Sequence, residues 1–368
     1  MKRSILFLLL ALLLTMSCYS SIQAEEFNEE LGLPYEEEYV QIVESAYTFA
    51  FVGDTQIVTR LTPEKLDILY QWIVDNKESK NIQFVAGLGD ITDKNADFEW
   101  ESAIAAIQKL DGVVPYSLIR GNHDDPYLYT TQVGYDSYIA QLDGMYNDVV
   151  LNTYKTITVG NLKYLFLNLD HGPADDVLAW ACQVVEAHPD HNVIITTHGY
   201  INEQGLLLHI GSEPTLAPSV TSGINDATAI WNKLVKKYAN IVMVVCGHMG
   251  DAPEGVNFEV EGDNGNKIQH VLINSQHLDR YYEKSGIVSL FHFSADGIQV
   301  QVENYATLVG QHYGSGFTFT LNTIAGNTQP EEPEEPEKPD YRLHISVGVA
   351  AAIVLAIIRI LLRKKKKD

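Results

Sequence analysis

From about residue 46 to residue 304 the chain alternates short apolar runs with amphipathic stretches. The apolar runs predict strands at Thr48–Val52, Ile82–Leu88, Val114–Ile119, Lys155–Val159, Tyr164–Leu169, Val193–Thr197 and Ile241–Val245. The intervening 3.6-residue patterns predict helices at Pro63–Asn76, Asp97–Leu110, Ala174–Ala187 and Ala227–Tyr238. Pro63 suits a first helical turn, where no backbone N–H is needed. Strand–helix alternation implies right-handed crossovers and a largely parallel sheet. The later runs His270–Ile273, Ile287–Phe293 and Ile298–Asn304 are expected as antiparallel hairpins, with Asp296-Gly297 as a tight turn.

The two ends follow other patterns. Lys2 and Arg3 precede an apolar run from Ile5 to Leu14, and Ile22-Gln23-Ala24 precedes Glu25-Glu26. That is the order of a secretory signal peptide cleaved after Ala24, although Cys18 could accept a lipid instead. Near the other end, Ile345 to Leu362 is a second apolar run, broken by Arg359 and followed by Arg363 and Lys364 to Lys367. As a helix this run would reach roughly 27 Å, close to the thickness of a hydrocarbon core. Arg359 could snorkel, and the basic cluster marks the cytoplasmic side. Between body and anchor, Gln329 to Asp340 is rich in Pro and Glu and predicts a stiff, solvated stalk. The expected organisation is a signal peptide at 1–24, an acidic lead at 25–45 and an α/β domain at 46–325. A stalk at 326–342, a transmembrane helix at 343–362 and a basic tail at 363–368 follow.

Composition is that of an ordinary globular protein, with 46% hydrophobic and 20% charged residues. Charge changes the picture more. Nine of the 25 basic residues lie at the two ends, and Asp368 is the one acid outside residues 25–340. The body therefore carries 16 bases against 47 acids, a net charge of −31. Such a body repels polyanions, so a duplex or long RNA is not the expected ligand. Cys182 and Cys246 sit in apolar patterns and are expected as small buried residues rather than a disulfide framework.

Chemistry concentrates where strands end. The sequence there is Gly53-Asp54-Thr55-Gln56, then Gly89-Asp90-Ile91-Thr92-Asp93, then Arg120-Gly121-Asn122-His123-Asp124, then Thr197-His198-Gly199, then Gly247-His248. Open α/β sheets build their sites at such carboxyl ends. A single Asp after a strand is often a helix cap, which remains an alternative for Asp93, and a single His is often structural. Five such residues in order on five apolar strands are not explained as caps. Arg120 could reach a phosphate, or lie on the surface. His171, after the strand ending at Leu169, could line the pocket, as could Tyr200 and Asn202.

The order Gly-Asp, Gly-Asp-x-x-Asp, Gly-Asn-His-Asp, strand-end His, Gly-His resembles the calcineurin-like metallophosphoesterase superfamily over residues 46–304. The resemblance implies a four-layer α/β/β/α sandwich and a two-metal site that hydrolyses phosphate esters. It implies that Asp90 bridges the metals and that Asn122, His198 and His248 complete the second. Asp54 and Gln56 are left to the first, where the family usually has a His in place of Gln56. The family's Gly-His-x-His is Gly247-His248-Met249-Gly250 here, so a second imidazole is also lacking; Asp251, one residue on, could compensate. His123 would protonate the leaving group and Asp93 would orient it. The metals expected are Mn²⁺ foremost, with Fe, Zn²⁺ or Mg²⁺ as alternatives. The partners expected are a phosphate ester and, through the C-terminal helix, a membrane. An exported single-pass phosphoesterase is the leading reading. The missing imidazole motivates a rival: a catalytically silent cell-surface binding module on the same fold.

Overall fold

A computed structural model of the protein describes residues 39–210, 224–250, 252–276 and 286–324. The expected signal peptide, most of the acidic lead, Asp251, the stalk, the transmembrane helix and the basic tail lie outside the described residues. The chain divides into two units, Met1–Asn327 and Thr328–Asp368, and every described residue belongs to the first. Among the described residues, no helix is long and apolar enough to cross a membrane.

The strands in chain order are β1 (Tyr47–Val52), β2 (Ile82–Gly87), β3 (Tyr116–Ser117), β4 (Gly144–Met145), β5 (Thr153–Val159), β6 (Leu162–Leu169) and β7 (Asn192–Thr197). There follow β8 (Ile241–Cys246), β9 (Ala252–Glu261), β10 (Lys267–Asn274), β11 (Ile287–Phe293), β12 (Gln299–Ala306), β13 (Gln311–His312) and β14 (Phe317–Thr320). They form two mixed sheets. One runs β13-β12-β11-β1-β2-β3, with β14 added beside β12; the other runs β4-β5-β6-β7-β8-β10-β9.

Side-chain alternation along each strand explains why the sheets stack. Tyr47, Phe49 and Phe51 of β1 enter one core with Tyr164 and Phe166 of β6, while Ala50 and Val52 enter another. Likewise Leu165, Leu167 and Leu169 of β6 point away from that shared layer into a third core. Strands buried on both faces must be apolar on both, which is why their sequences are nearly continuous hydrophobic runs. The layer between the sheets is largely aromatic. The Phe166 ring lies 5.1 Å from Phe49 and 3.9 Å from Phe84, centroid to centroid. A Tyr47–Tyr164 hydroxyl pair at 2.5 Å crosses the layer at one end.

Helices cover the outer faces. Those in the first half are α1 (Gln56–Leu61), α2 (Pro63–Asn76) and α3 (Asp97–Ile107). In α2, Leu66, Leu69, Tyr70 and Ile73 are buried at the spacing of one helical face, and Pro63 opens the first turn. The shorter helices are α4 (Pro126–Val133) and α5 (Asp136–Gln141). On the second sheet lie α6 (Asp175–Ala187) and α7 (Ala227–Lys233). The mixed α/β architecture with two sheets agrees with the sandwich expected from sequence.

Four local expectations are corrected. The run His270–Ile273 belongs to β10, which pairs parallel with β8 and antiparallel with β9 in the second sheet. It does not join the hairpin of β11 and β12. Pro253 and Gly255 disguise β9 in the sequence, so the true partner of β10 carries turn residues. The run Val114–Ile119 pairs only over Tyr116–Ser117. The helix expected over Ala227–Tyr238 ends at Lys233 and continues as a 3₁₀ turn, Val235–Lys237. Cys182 is partly exposed, while Cys246 is buried, and both are free thiols.

One buried charge in the first sheet tests this packing. Glu303 of β12 is 1% exposed. Its carboxylate meets Lys80 Nζ at 3.0 Å, His292 Nε2 at 2.6 Å and His312 Nδ1 at 3.1 Å. Burial opposes its ionisation, but the bond from His292 and the charge of Lys80 outweigh burial and hold the carboxyl below its usual range. A carboxylate with a depressed folded pKa stabilises the fold above its unfolded value of about 4.3, and loses that contribution as pH falls through the folded value. Glu303→Gln is therefore expected to unfold about 2–3 kcal/mol more easily at pH 7. The gap to wild type should close as pH is lowered below about 4, read by thermal unfolding across pH.

Candidate metal centre

The strand ends converge because three tight turns fold back on one another. β1 leads into Gly53-Asp54, β2 into Leu88-Gly89-Asp90, and β3 into Gly121-Asn122-His123-Asp124. Asp54 and Asp90 adopt left-handed backbone angles, with φ of 54° and 51°, and His248 does so with φ of 73°. Non-glycine residues rarely do this, and the cost is of order 1–3 kcal/mol each. Three of the six expected ligands therefore sit in strained turns that aim their side chains inward.

Asp90 is at the middle. Its Oδ1 accepts from His123 N at 3.0 Å, and its Oδ2 accepts from Gln56 Nε2 at 2.9 Å. A Cβ on Gly121 would lie 2.0 Å from Asp90 Oδ1, so no side chain fits there. His198 enters from the end of β7. Its Nδ1 donates to Leu88 O at 2.8 Å, which turns Nε2 toward Asn122 Oδ1 at 3.0 Å and Asp90 Oδ1 at 3.2 Å. His248 Nδ1 lies 3.2 Å from the same Nε2. His248 is anchored through its backbone N–H, which donates to Asp54 Oδ1 at 3.0 Å.

The electrostatics show what this cluster lacks. Burial opposes ionisation of Asp90, yet His198 and His123 hold its carboxyl well below the usual range. Burial lowers His198, but Asp90 outweighs it and lifts the ring to about 9. Burial and the charge of His198 push His248 down to about 3. A carboxylate, an amide oxygen and a second imidazole thus crowd one ring nitrogen, an arrangement that calls for a shared positive charge. Asp90, His198 and His248 have ligand atoms mutually within 4.8 Å, the one such group among the described residues. Gln56 is fully buried and its Oε1 has no hydrogen-bond partner. An orphaned oxygen beside a buried carboxylate suits a cation. The residues fit divalent metal: N and O donors on the His198 side, oxygens alone on the Gln56 side.

The remaining expected residues fall as follows. His123 Nδ1 lies 3.0 Å from Asp93 Oδ1. Asp93 caps no helix; α3 instead begins after Ala96, whose N–H donates to Glu99 Oε2 at 2.9 Å. Asp93 Oδ2 also holds Arg60 and, at 3.3 Å, Lys94. His171 is buried beside the site, its ring centred 5.5 Å from His198 and 5.6 Å from His248. Neither of its ring nitrogens has a partner, and burial together with the two imidazoles keeps it neutral. Tyr200 packs instead against His270, at 5.0 Å between rings, and Asn202 closes a turn by accepting from Leu206 N at 2.9 Å.

Two residues had no role assigned from sequence, and a third had the wrong one. Asp124 accepts from Gly121 N, Ile91 N and Thr92 N at 3.0, 3.1 and 2.8 Å, tying the second turn to the third. The signal for it was its place in Gly-Asn-His-Asp. Arg60 lies four residues after Gln56 on α1 and so shares its face. Arg120 is neither a surface residue nor aimed outward. It bonds Asp170 Oδ1 at 2.7 Å and the carbonyls of Gly121, Asp124 and His171, and so pins the turns from behind.

A calcineurin-like phosphoesterase family model matches residues 47–251, more than half of the chain and the whole set of strand ends described above. The chain belongs to the calcineurin-like phosphoesterase family. An uncharacterised protein of Bacillus subtilis, YvnB, is 27% identical over 277 residues, covering 72% of this chain and 20% of its own length. The chain thus spans about a fifth of that relative. Among solved structures, a purple acid phosphatase from yellow lupin seeds superposes with a TM-score of 0.47 at 16% identity, covering 78% of this chain and 55% of that one. GAP50, described as the anchor in the inner membrane complex of Plasmodium, gives 0.44 at 15%, covering 76% and 90%.

A calcineurin-like site of this build depends on the bare backbone at position 121. Gly121→Ala is expected to displace the Asp90 carboxylate and weaken divalent-metal binding by about tenfold or more. Calorimetric titration with Mn²⁺ checks this, with circular dichroism to show that the fold is retained.

Proposed function

We propose that this chain is an exported, membrane-held phosphoesterase that hydrolyses small phosphate esters with two divalent ions. One observation carries the reading. Donor atoms of Asp90, Asn122, His198 and His248 meet around one point, and the His123–Asp93 pair is fastened to the same carboxylate by His123 N. Bound ions would supply Lewis acidity toward the ester and lower the pKa of the attacking water. Asp90, Asn122, His198 and His248 would hold the second ion, and Asp54, Gln56 and Asp90 the first. Mn²⁺ suits both donor sets best, with Fe, Zn²⁺ and Mg²⁺ as alternatives.

His123 serves the leaving group. Its Nδ1 faces Asp93, which leaves Nε2 to give a proton to the departing oxygen as the P–O bond breaks. Asp93 is held by Arg60 and Lys94 and so orients the ring. The −31 body disfavours long nucleic acid and leaves compact esters as the substrate class. The signal-like start, the Pro/Glu stalk and the apolar run before the terminal lysines support export and a single membrane anchor. Gly250, where the family has a second His, favours the rival reading of a silent surface-binding module.

A screen of phosphomonoesters, phosphodiesters and nucleotides with added Mn²⁺ decides between the two. Hydrolysis is expected, and His123→Ala should lower kcat by about 10²–10⁴-fold at unchanged metal content. No hydrolysis at any metal concentration gives the site to the binding module. For topology, protease cleavage between Gln329 and Asp340 on intact cells should release the body; a domain that stays with the cells rejects the anchored arrangement.

A further inference from the structure

Three basic groups meet one buried carboxylate beside the metal centre. The Asp93 side chain is only 4% exposed. Its Oδ1 faces His123 Nδ1 at 3.0 Å, and its Oδ2 holds Arg60 Nη1 and, at 3.3 Å, Lys94 Nζ. One carboxylate offsets one of these two permanent cations, so a positive charge is left over beside His123. The acids that follow do not take it up. Among the described residues Asp97 and Glu99 pair with neither cation; Glu99 is fully buried, and its Oε2 accepts from the backbone N–H groups of Lys94 and Ala96.

Helix α1 sets where Arg60 stands. Gln56 and Arg60 lie one turn apart on one face, and Gln56 Nε2 reaches Asp90 while Arg60 reaches Asp93. At 1.5 Å per residue, Arg60 is roughly 6 Å further along the helix than the residue at the metal centre. Its Nε is buried and has no hydrogen-bond partner, while the side chain as a whole is 36% exposed. A guanidinium has five N–H donors in a planar fork that matches a carboxylate or a phosphate, and Asp93 uses only part of it. Lys94, 65% exposed, adds a second positive charge.

Charge on the other side is opposite. Two residues beyond His248, a Cβ on Gly250 would lie 1.5 Å from Glu203 Oε1 and 2.1 Å from its carboxyl carbon. Glu203 thus fills the volume in which a side chain at position 250 would begin, and makes that turn acidic. A negative group carried by the ester is repelled there and attracted toward Arg60. We propose that Arg60, assisted by Lys94, is a specificity-determining residue that selects phosphate esters whose leaving group bears its own negative charge, a carboxylate or a second phosphate. Arg60 holds that anion through its free donors, on the side where His123 Nε2 meets the departing oxygen. The assignment of a leaving-group side rests on the phosphoesterase reading; the anion contact itself needs no turnover.

The test is calorimetric titration of the full-length protein in Mn²⁺ with phenylphosphonate and 4-carboxyphenylphosphonate, whose P–C bonds are not hydrolysed. Wild type is expected to bind the carboxylated probe about tenfold more tightly. Arg60→Gln should bring the two probes to near-equal affinity, Arg60→Lys should keep part of the preference, and Lys94→Gln should reduce it less than Arg60→Gln does. Equal affinity of the two probes in wild type, or binding of neither, overturns the assignment. So does an undiminished preference in Arg60→Gln. Equal weakening of both probes in Arg60→Gln also overturns it, because Arg60 would then act only by orienting Asp93. A preference that Arg60→Gln removes, in a protein that hydrolyses no phosphoester, would keep the Arg60 assignment and reject the phosphoesterase reading.

Discussion

A carboxylate buried at the junction of three turns sets the terms for the rest of this protein. Asp90 is 2% exposed, and a charge so placed must be matched by its surroundings. The chain meets this with a backbone N–H from His123, an amide N–H from Gln56 and the ring of His198. Each comes from a different element, so the charge can be balanced only when all the strand ends are in place. The local costs follow from the same need: left-handed backbone at three candidate ligand residues, and a bare glycine where the Asp90 oxygen lies. Such costs persist only where the scaffold over-determines the geometry.

The scaffold supplies that rigidity through the aromatic layer between the sheets. Phe49, Phe84 and Phe166 interlock beneath the strand ends that carry Asp54, Asp90 and His198. Rings packed this closely cannot slide without opening voids. The two sheets therefore hold the candidate ligands at the ends of β1 and β2 against those at the ends of β7 and β8. Arg120 works from the other side, joining three carbonyls of two turns to the Asp170 carboxylate.

The early strands and the residues at their ends were legible in the sequence because strong periodicity and ligand chemistry coincide there. Thr48–Val52 and Ile82–Leu88 differ from the observed strands by one residue at one end each. What was missed depends on contacts distant in sequence. β10 has apolar residues on both faces, which fits an interior strand as well as a hairpin, and its partner β9 is masked by Pro253 and Gly255. Arg120 resembles any strand-end arginine until its buried partners are known. Asp124 stands in Gly-Asn-His-Asp, but its role, satisfying backbone N–H groups of another turn, shows only once the two turns are brought together. Glu203 lies in a loop whose neighbour across space, Gly250, is 47 positions away.

That crowding between positions 203 and 250 constrains how such a site can change over time. One volume holds either a side chain from the Gly-His-x-x turn or the Glu203 carboxylate, but not both. A lineage bearing the acid cannot acquire the imidazole by one substitution without a steric conflict. A lineage bearing the imidazole has no room for the acid. The two positions should therefore change together, with a small or absent side chain at one wherever the other is occupied. Intermediates would pass through a form with neither.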